Sequence, residues 1–394
     1  MNTAITKRIT SIDLLRGLIM IIMALDHTRD YFNADAFLFD PLDLGKTSVS
    51  LFFTRWITHF CAPIFILLAG TSAFLSGRQK TKKELAVFLI KRGFWLIFLE
   101  MTVVNFSWFF NLHFSIFLFG VIWIIGVAMI FLAGFIFLPR RVTLAIALIL
   151  IFGHNLLDGM HVPAHDAGGF LWGLVHDRKL FFIGCTTFME GYLIIPWVGV
   201  MALGYCLGEI FDKGYDPLKR KKMLLRIGSA SIVLFLIVRG INVYGNLNPW
   251  TEQPSVIREI LSFINVTKYP PSLDYLLVTE GFAFIFLGLT ENIANRFTKI
   301  ISVFGRVPMF YYLIHIYIIH LLALVAASLT GYNWTDFTNL STWVTDNPKL
   351  KGYGFGLGIV YLVWIGLILF LYPLCKWYDR YKLQHKGKWW LSYL

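Results

Sequence analysis

Long apolar runs recur along this 394-residue chain, with short polar loops between them. About 20 residues, rising about 1.5 Å each as a helix, match the hydrocarbon thickness of a bilayer. About ten runs of that kind can be placed, at Ser11–Phe32, Phe52–Ser76, Glu84–Phe110, Ser115–Leu138, Val142–Asp158, Gly191–Phe211, Leu224–Tyr244, Ser272–Thr290, Ile301–Leu329 and Tyr353–Trp377. Lipid offers no water to backbone N–H and C=O groups, so runs like these fold as helices. The expectation is an all-α polytopic membrane protein: a bundle of about ten transmembrane helices, forming one domain over residues 1–394. Composition points the same way. Only 15% of residues are charged, where a soluble domain carries about a quarter.

The loops alternate in charge. Lys7 and Arg8, GRQKTKK (Gly77–Lys83), Arg140–Arg141, KRKK (Lys219–Lys222), Arg296 with Lys299, and the tail from Lys376 fall on one side. The other side receives longer loops rich in Trp, Asn, Asp and His. Basic loops stay cytoplasmic, which predicts that both termini are cytoplasmic. The net charge of +12 then reads as an orientation signal, and no nucleic-acid partner is expected. No small-residue cleavage site follows the first run, so it is read as a retained helix. Cys61, Cys206 and Cys375 lie in or beside apolar spans, without a CxxC pair or a disulfide framework.

Charge inside a membrane segment is expensive and marks a pathway or a reaction site. The first span carries Asp13 and Arg16 at its start and Asp26, His27, Arg29 and Asp30 at its exit. On a helix Asp26 and Asp30 share a face at i,i+4, and Arg29 neighbours Asp26 at i,i+3, a spacing that also suits a self-neutralising pair. With the depth set by the topology, His59, Asn105, His113, His154, Asp158, His315 and His320 join that exit in one outer layer. Arg16, Lys91, Arg92, Arg226 and Arg306 populate the opposite rim. Glu100 and Glu280 lie deep, where a carboxylate needs a partner or a proton. His161 and His165 with Asp166 have metal-ligand spacing if helical, but Pro163 and Gly168–Gly169 argue for a loop. No metal is expected there.

A family resemblance runs through these same residues. RITSIDLLRGLIMIIMALDHTRDYF and THFCAPIFILLAGTSAFLSG, then IKRGFWLIFLEMTVVN, HNLLDG, NVTKYPPSLDYLL and FGRVPMFYYLIHIYIIH, carry it. The chain resembles the bacterial relatives of heparan-α-glucosaminide N-acetyltransferase, part of a wider group of transmembrane acyltransferases that open with [ST]-x-D-x-x-R-G. The resemblance implies a multi-pass enzyme of a bacterial inner membrane that takes an acetyl group from cytoplasmic acetyl-CoA. The acceptor would be a sugar or related molecule on the other side. It makes Asp13, Arg16 and Gly17 the entry motif and Asp26 the polar position of the first span. In the animal lysosomal members the active histidine sits in an H-x-x-W-N-G stretch. The matching place here falls near Val49, in KTSVSLFF, which holds no histidine. His27 or His59 is left to take that role.

Acyl transfer needs a general base within hydrogen-bond reach of the nucleophile, and histidine suits neutral pH. His59, His27 and His315 are the candidates, with Asp26 or Asp30 to orient the imidazole and Arg29 or Asn105 to stabilise the oxyanion. Asp13, Arg16, Gly17, Arg92 and Arg306 would form the donor end, since arginine matches phosphate bidentately. Trp172, Trp250, Trp334 and Trp343 would stack on a sugar or sit in the interface. The expected partners are the bilayer, the acyl donor and a glycan-like acceptor, with a homodimer as one expected assembly. The rival is a proton-coupled transporter or flippase using the buried His, Asp and Glu as a relay. The two halves of the chain show no inverted repeat, which weighs against it.

Overall fold

The computed structural model describes residues 10–163, 167–212, 214–385, 387–388 and 391. Lys7, Arg8, His165 and Asp166 lie outside these residues.

The chain opens with α1 (Thr10–Phe32), then α2 (Val49–Trp56), which passes through a single 3-10 turn into α3 (Cys61–Gly77). Next come α4 (Lys82–Leu99) and α5 (Asn105–Phe109), joined by a π-helical turn at Glu100–Val104. Strand β1 (Ile116–Phe119) leads into α6 (Val121–Phe135) and α7 (Arg140–Gly153). A short α8 (Ala167–Val175) precedes the hairpin β2 (Leu180–Ile183) and β3 (Thr186–Glu190). The rest is helical: α9 (Ile194–Leu207), α10 (Pro217–Ile241), α11 (Val256–Ile264), α12 (Leu273–Thr290), α13 (Arg296–Arg306), α14 (Pro308–Leu329) and α15 (Leu357–Gln384).

Among the described residues, seven helical segments are long and apolar enough to cross a membrane: Val49–Gly77, Arg140–Leu157, Ile194–Phe211, Pro217–Ile241, Leu273–Thr290, Pro308–Leu329 and Leu357–Gln384. The other expected spans also fold as helices, in α1, in α4 with α5, and in the shorter α6. Their outward residues suit lipid: Val233, Leu236 and Ile237 on α10 and Leu362, Leu369 and Phe370 on α15 are exposed. For orientation, the end of the bundle where α1 starts is the near face, and the end where α1 finishes is the far face.

Local chemistry sets many of the ends. Thr81 and Glu84 form a reciprocal capping box at the start of α4, and Asp216 caps α10 just before Pro217, so donors without helical partners are satisfied. Lipid does not drive apolar helices together, so close approach depends on small residues. At the α3–α9 crossing a Cβ on Gly70 would lie 2.1 Å from the Met201 carbonyl, and one on Gly204 2.1 Å from that of Leu67.

Three expectations are corrected here. The protein is not wholly helical: β1, β3 and β2 form a small sheet, β1 parallel and β2 antiparallel to the central β3. Consequently the expected span Ser115–Leu138 begins as a strand and becomes helical only after Gly120. The expected span Ile301–Leu329 is two helices, broken at Val307 (φ −128°, ψ 47°) before Pro308, because proline disfavours helical backbone in the residue ahead of it.

The sheet is pinned from inside. Glu190 is fully buried, its carboxylate accepts from the Lys179 N–H at 3.1 Å, and its carbonyl accepts from Arg178 Nε at 3.1 Å. Burial pushes the Glu190 carboxyl up to about 8.

α1 packs against α3, α12, α13, α14 and α15, which makes it the central post of the bundle. Met20, Met23 and Ala24 are its buried middle. The charged ends of this post therefore fall inside the protein.

Candidate active site

At the far-face end of α1 the residues Asp26, His27, Arg29 and Asp30 line a cavity of about 640 Å³. Asp26 is the electrostatic centre. Both its oxygens accept from Arg55 Nη1, at 3.0 Å each, and Arg29 Nη1 lies 2.9 Å from Oδ1. Lys268 Nζ is 3.9 Å from Oδ2. Arg29 also pairs with Asp30. Buried charges persist only when paired in this way, because the loss of hydration is otherwise uncompensated.

His27 stands beside this network and is only half-buried. Its Nδ1 is 2.8 Å from Nε2 of the fully buried His315. Nδ1 of His315 lies 3.0 and 2.7 Å from the carbonyls of Tyr311 and Tyr312. Carbonyls only accept, so that Nδ1 carries the proton and His315 Nε2 is an acceptor. His27 Nδ1 must then be the donor, which leaves the lone pair on His27 Nε2. Trp108 meets the His27 ring edge-on at 4.7 Å and packs 4.8 Å from Trp343, so aromatic walls flank the imidazole.

A second cavity, about 250 Å³, lies toward the near face. Its walls are mainly apolar, from residues such as Met20, Leu68, Leu89, Leu96, Ile125 and Met129, with Arg16, Ser72, Ser76, Arg92 and the Tyr312 side chain as polar exceptions. Phe65, Val121 and Tyr312 line both cavities. Between them, Glu100 accepts from the Ile122 and Trp123 N–H groups at 2.9 and 3.1 Å. It thereby caps α6 where that helix starts inside the protein, and this answers the question of its deep carboxylate. The π turn at Glu100 is the local distortion that aims it there; such turns cluster at functional positions.

The family of heparan-alpha-glucosaminide N-acetyltransferase, catalytic, matches residues 8–241, more than half of the chain. The chain belongs to this family. It is an N-acetyltransferase-like membrane enzyme. No curated protein matches it.

The N-acetyltransferase match covers Asp26, His27, Arg29, Asp30 and Arg55, whereas Lys268 and His315 lie beyond it. Tertiary structure thus gathers one cluster from both sides of the match's end. His59 does not join it. That residue is 1% exposed, neither ring nitrogen has a partner among the described residues, and it lines neither cavity. Its ring meets Tyr275 edge-on at 5.5 Å, so the structure places it apart from the Asp26 cluster. Asn105 is engaged with the sheet: its amide donates to the Ile116 carbonyl and accepts from the Leu118 N–H, which holds β1 in place. Both ring nitrogens of His154 and of His320 face backbone carbonyls at 2.7–2.9 Å, and the one N–H of each neutral ring can donate to one of them.

At the other end Arg16 donates to the Gly305 carbonyl at 3.1 Å and to Ser72 Oγ at 3.2 Å, and lies 3.7 Å from Asp13. Arg16 and Arg92 line the near cavity. Arg306 does not, since its guanidinium is held 2.8 Å from Asp379 at two nitrogens. Gly17 has a packing role: a Cβ there would sit 2.1 Å from the Ile301 carbonyl of α13. Among the described residues no cluster of His, Cys, Asp and Glu is arranged to hold a metal ion.

Sequence reasoning missed Arg55 and Lys268. Arg55 stands near the start of the second apolar run, in TRW, and Lys268 sits in the polar TKYPPS loop. The one available signal was a charge deficit: a buried Asp26 facing outward needs cations from other segments.

Proposed function

We propose that the protein transfers an acetyl group from acetyl-CoA, entering from the cytoplasm at the near face, to an amine or hydroxyl of a sugar or related acceptor that arrives from the extracytoplasmic far face of a bacterial inner membrane. The observation that carries this reading is the pair of cavities on either side of Phe65, Val121 and Tyr312, with His27 in the far one. The apolar near cavity suits a pantetheine arm, with Arg16 and Arg92 toward its phosphates. The basic loops GRQKTKK and KRKK adjoin the near face, which supports a cytoplasmic donor side.

The chemistry follows from the tautomers. His27 Nε2 takes the acceptor's proton as its nitrogen or oxygen attacks the thioester carbon. The imidazolium is held by the Nδ1–H bond to His315 and lies beside the Asp26 carboxylate. The returning electron pair expels the CoA thiolate, which His27 protonates. General-base assistance of this kind is worth about 10²–10⁴ in rate.

Radiolabelled acetyl-CoA with D-glucosamine tests the reading. Purified protein is expected to bind the donor and acetylate the amine, and His27→Ala to lower transfer by about 10²–10⁴ with donor binding retained. Absence of donor binding at millimolar concentration overturns the reading, and full activity in His27→Ala removes His27 from the mechanism. One observation favours the transporter reading: both Glu280 oxygens are buried on α12 with no partner among the described residues, as are the His59 nitrogens. Proton uptake into proteoliposomes without acetyl-CoA is its distinguishing result.

A further inference from the structure

Around Asp26, two carboxylates, Asp26 and Asp30, meet three cations, Arg29, Arg55 and Lys268, and Asp40 and Asp346 face them from elsewhere in the cavity lining. The two arginines are engaged closely, Arg55 with both oxygens of Asp26 and Arg29 with Asp26 and Asp30. Lys268 is different. It is 7% exposed, yet its ammonium stands 3.9 Å from Asp26 Oδ2, beyond hydrogen-bond length. The ammonium lies 5.1 Å over the Tyr269 ring, and no described group accepts a hydrogen bond from it. Lys268 lines the cavity together with His27. A buried, cavity-facing cation with three unused donors is costly unless something negative comes to it.

Resting on the acetyl-transfer reading above, we infer that Lys268 is a catalytic residue that donates hydrogen bonds to the thioester oxygen as it becomes an oxyanion. As the acceptor's nitrogen or oxygen bonds to the carbonyl carbon and His27 takes its proton, the C=O π pair moves onto oxygen. Lys268 holds that oxygen. Collapse re-forms C=O, breaks C–S, and the thiolate leaves with the proton from His27. The ground-state carbonyl carries little charge, so the interaction acts mainly in the transition state. Asp26 has a second purpose in this arrangement. Its carboxylate is the nearest anion to the ammonium and adjoins His27 in sequence, so it fixes donor and base relative to each other.

Thioester cleavage of acetyl-CoA, read as free thiol with D-glucosamine and with water alone, tests the inference in detergent-solubilised protein. Lys268→Met keeps the length and removes the charge. It is expected to lower kcat by about 10²–10³ with acceptor and with water alike, and to leave the KM for acetyl-CoA within about threefold. Lys268→Arg is expected to restore part of kcat. A wild-type kcat in Lys268→Met, or a change confined to KM, overturns the inference. Thermal unfolding is followed in parallel. If Lys268→Met does not fold, Lys268→Arg decides: a substantial kcat supports the role, and background cleavage overturns it. Wild-type protein that neither binds nor cleaves acetyl-CoA overturns the acetyl-transfer reading and this inference together. An active wild type with an equally active Lys268→Met removes only the role of Lys268.

Discussion

The near and far cavities meet at Phe65, Val121 and Tyr312, but they treat charge in opposite ways. In the near cavity apolar side chains dominate, and Arg16 is tied to a backbone carbonyl and to Ser72. In the far cavity five ionised side chains from α1, α2 and the loop before α12 surround one another, next to an imidazole with a free lone pair. An apolar channel holds a long flexible ligand by burial and leaves little to react with. A dense, largely buried charge cluster fixes dipoles ahead of the reaction, which is the condition for electrostatic catalysis. On the acetyl-transfer reading proposed above, the contrast divides labour along one set of helices: binding toward the near face, chemistry toward the far face.

The division makes predictions that attack each end separately. The largest effect is expected from Asp26→Asn. It removes the carboxylate that Arg29, Arg55 and Lys268 share, and stranding buried charge typically costs about 3–5 kcal/mol. Thermal unfolding in detergent is expected to show a lower Tm, and an unchanged Tm would mean that water already neutralises the cluster. Next is Ser72→Trp in the near cavity. The indole fills the channel and is expected to weaken acetyl-CoA binding by at least about tenfold, or about 1.4 kcal/mol, with the far cluster intact. If equilibrium binding is unaffected while transfer is lost, the near cavity is not the donor site and the proposed division fails.

The smallest effect concerns the sheet beside the far cavity. Glu190 has its carboxyl raised by burial to about 8, so the folded sheet binds a proton that the unfolded chain releases in the ordinary carboxylate range. The stability from this group is present in full at acid pH and declines as pH rises through about 8. Hydrogen-exchange protection of residues 180–190, taken relative to the intrinsic base-catalysed rate, is expected to fall over that interval in the native protein and to lose this dependence in Glu190→Gln. Near-face helices are expected to show no such trend, and equal slopes at both faces would erase the distinction.

Much of the site was legible in the chain, for a physical reason. Charges within an apolar run are conspicuous, so Asp26, His27, Arg29 and Asp30 stand out without any structure. Their partners do not. Lys268 occurs in polar sequence where a cation is ordinary, Arg55 near the end of an apolar run where a cation reads as an anchor, and only folding brings them to Asp26. His59 illustrates the converse. It is as conspicuous as His27, but helix rotation turns it toward Tyr275 and away from both cavities. Arg306 likewise looks like a rim cation until Asp379, 73 residues later, takes it.

What the sequence determined by itself was the helical, membrane-spanning class and the charged ends of α1, because hydrophobic length and the cost of buried charge are local properties of the chain. What only tertiary structure decided was pairing. Which histidine carries the lone pair depends on the His27–His315 contact across 288 positions. Whether a cation is neutralised or left facing the cavity depends on distances that no spacing encodes. The sheet came from the same source: β1 is an apolar run like its neighbours until β3 offers it a partner.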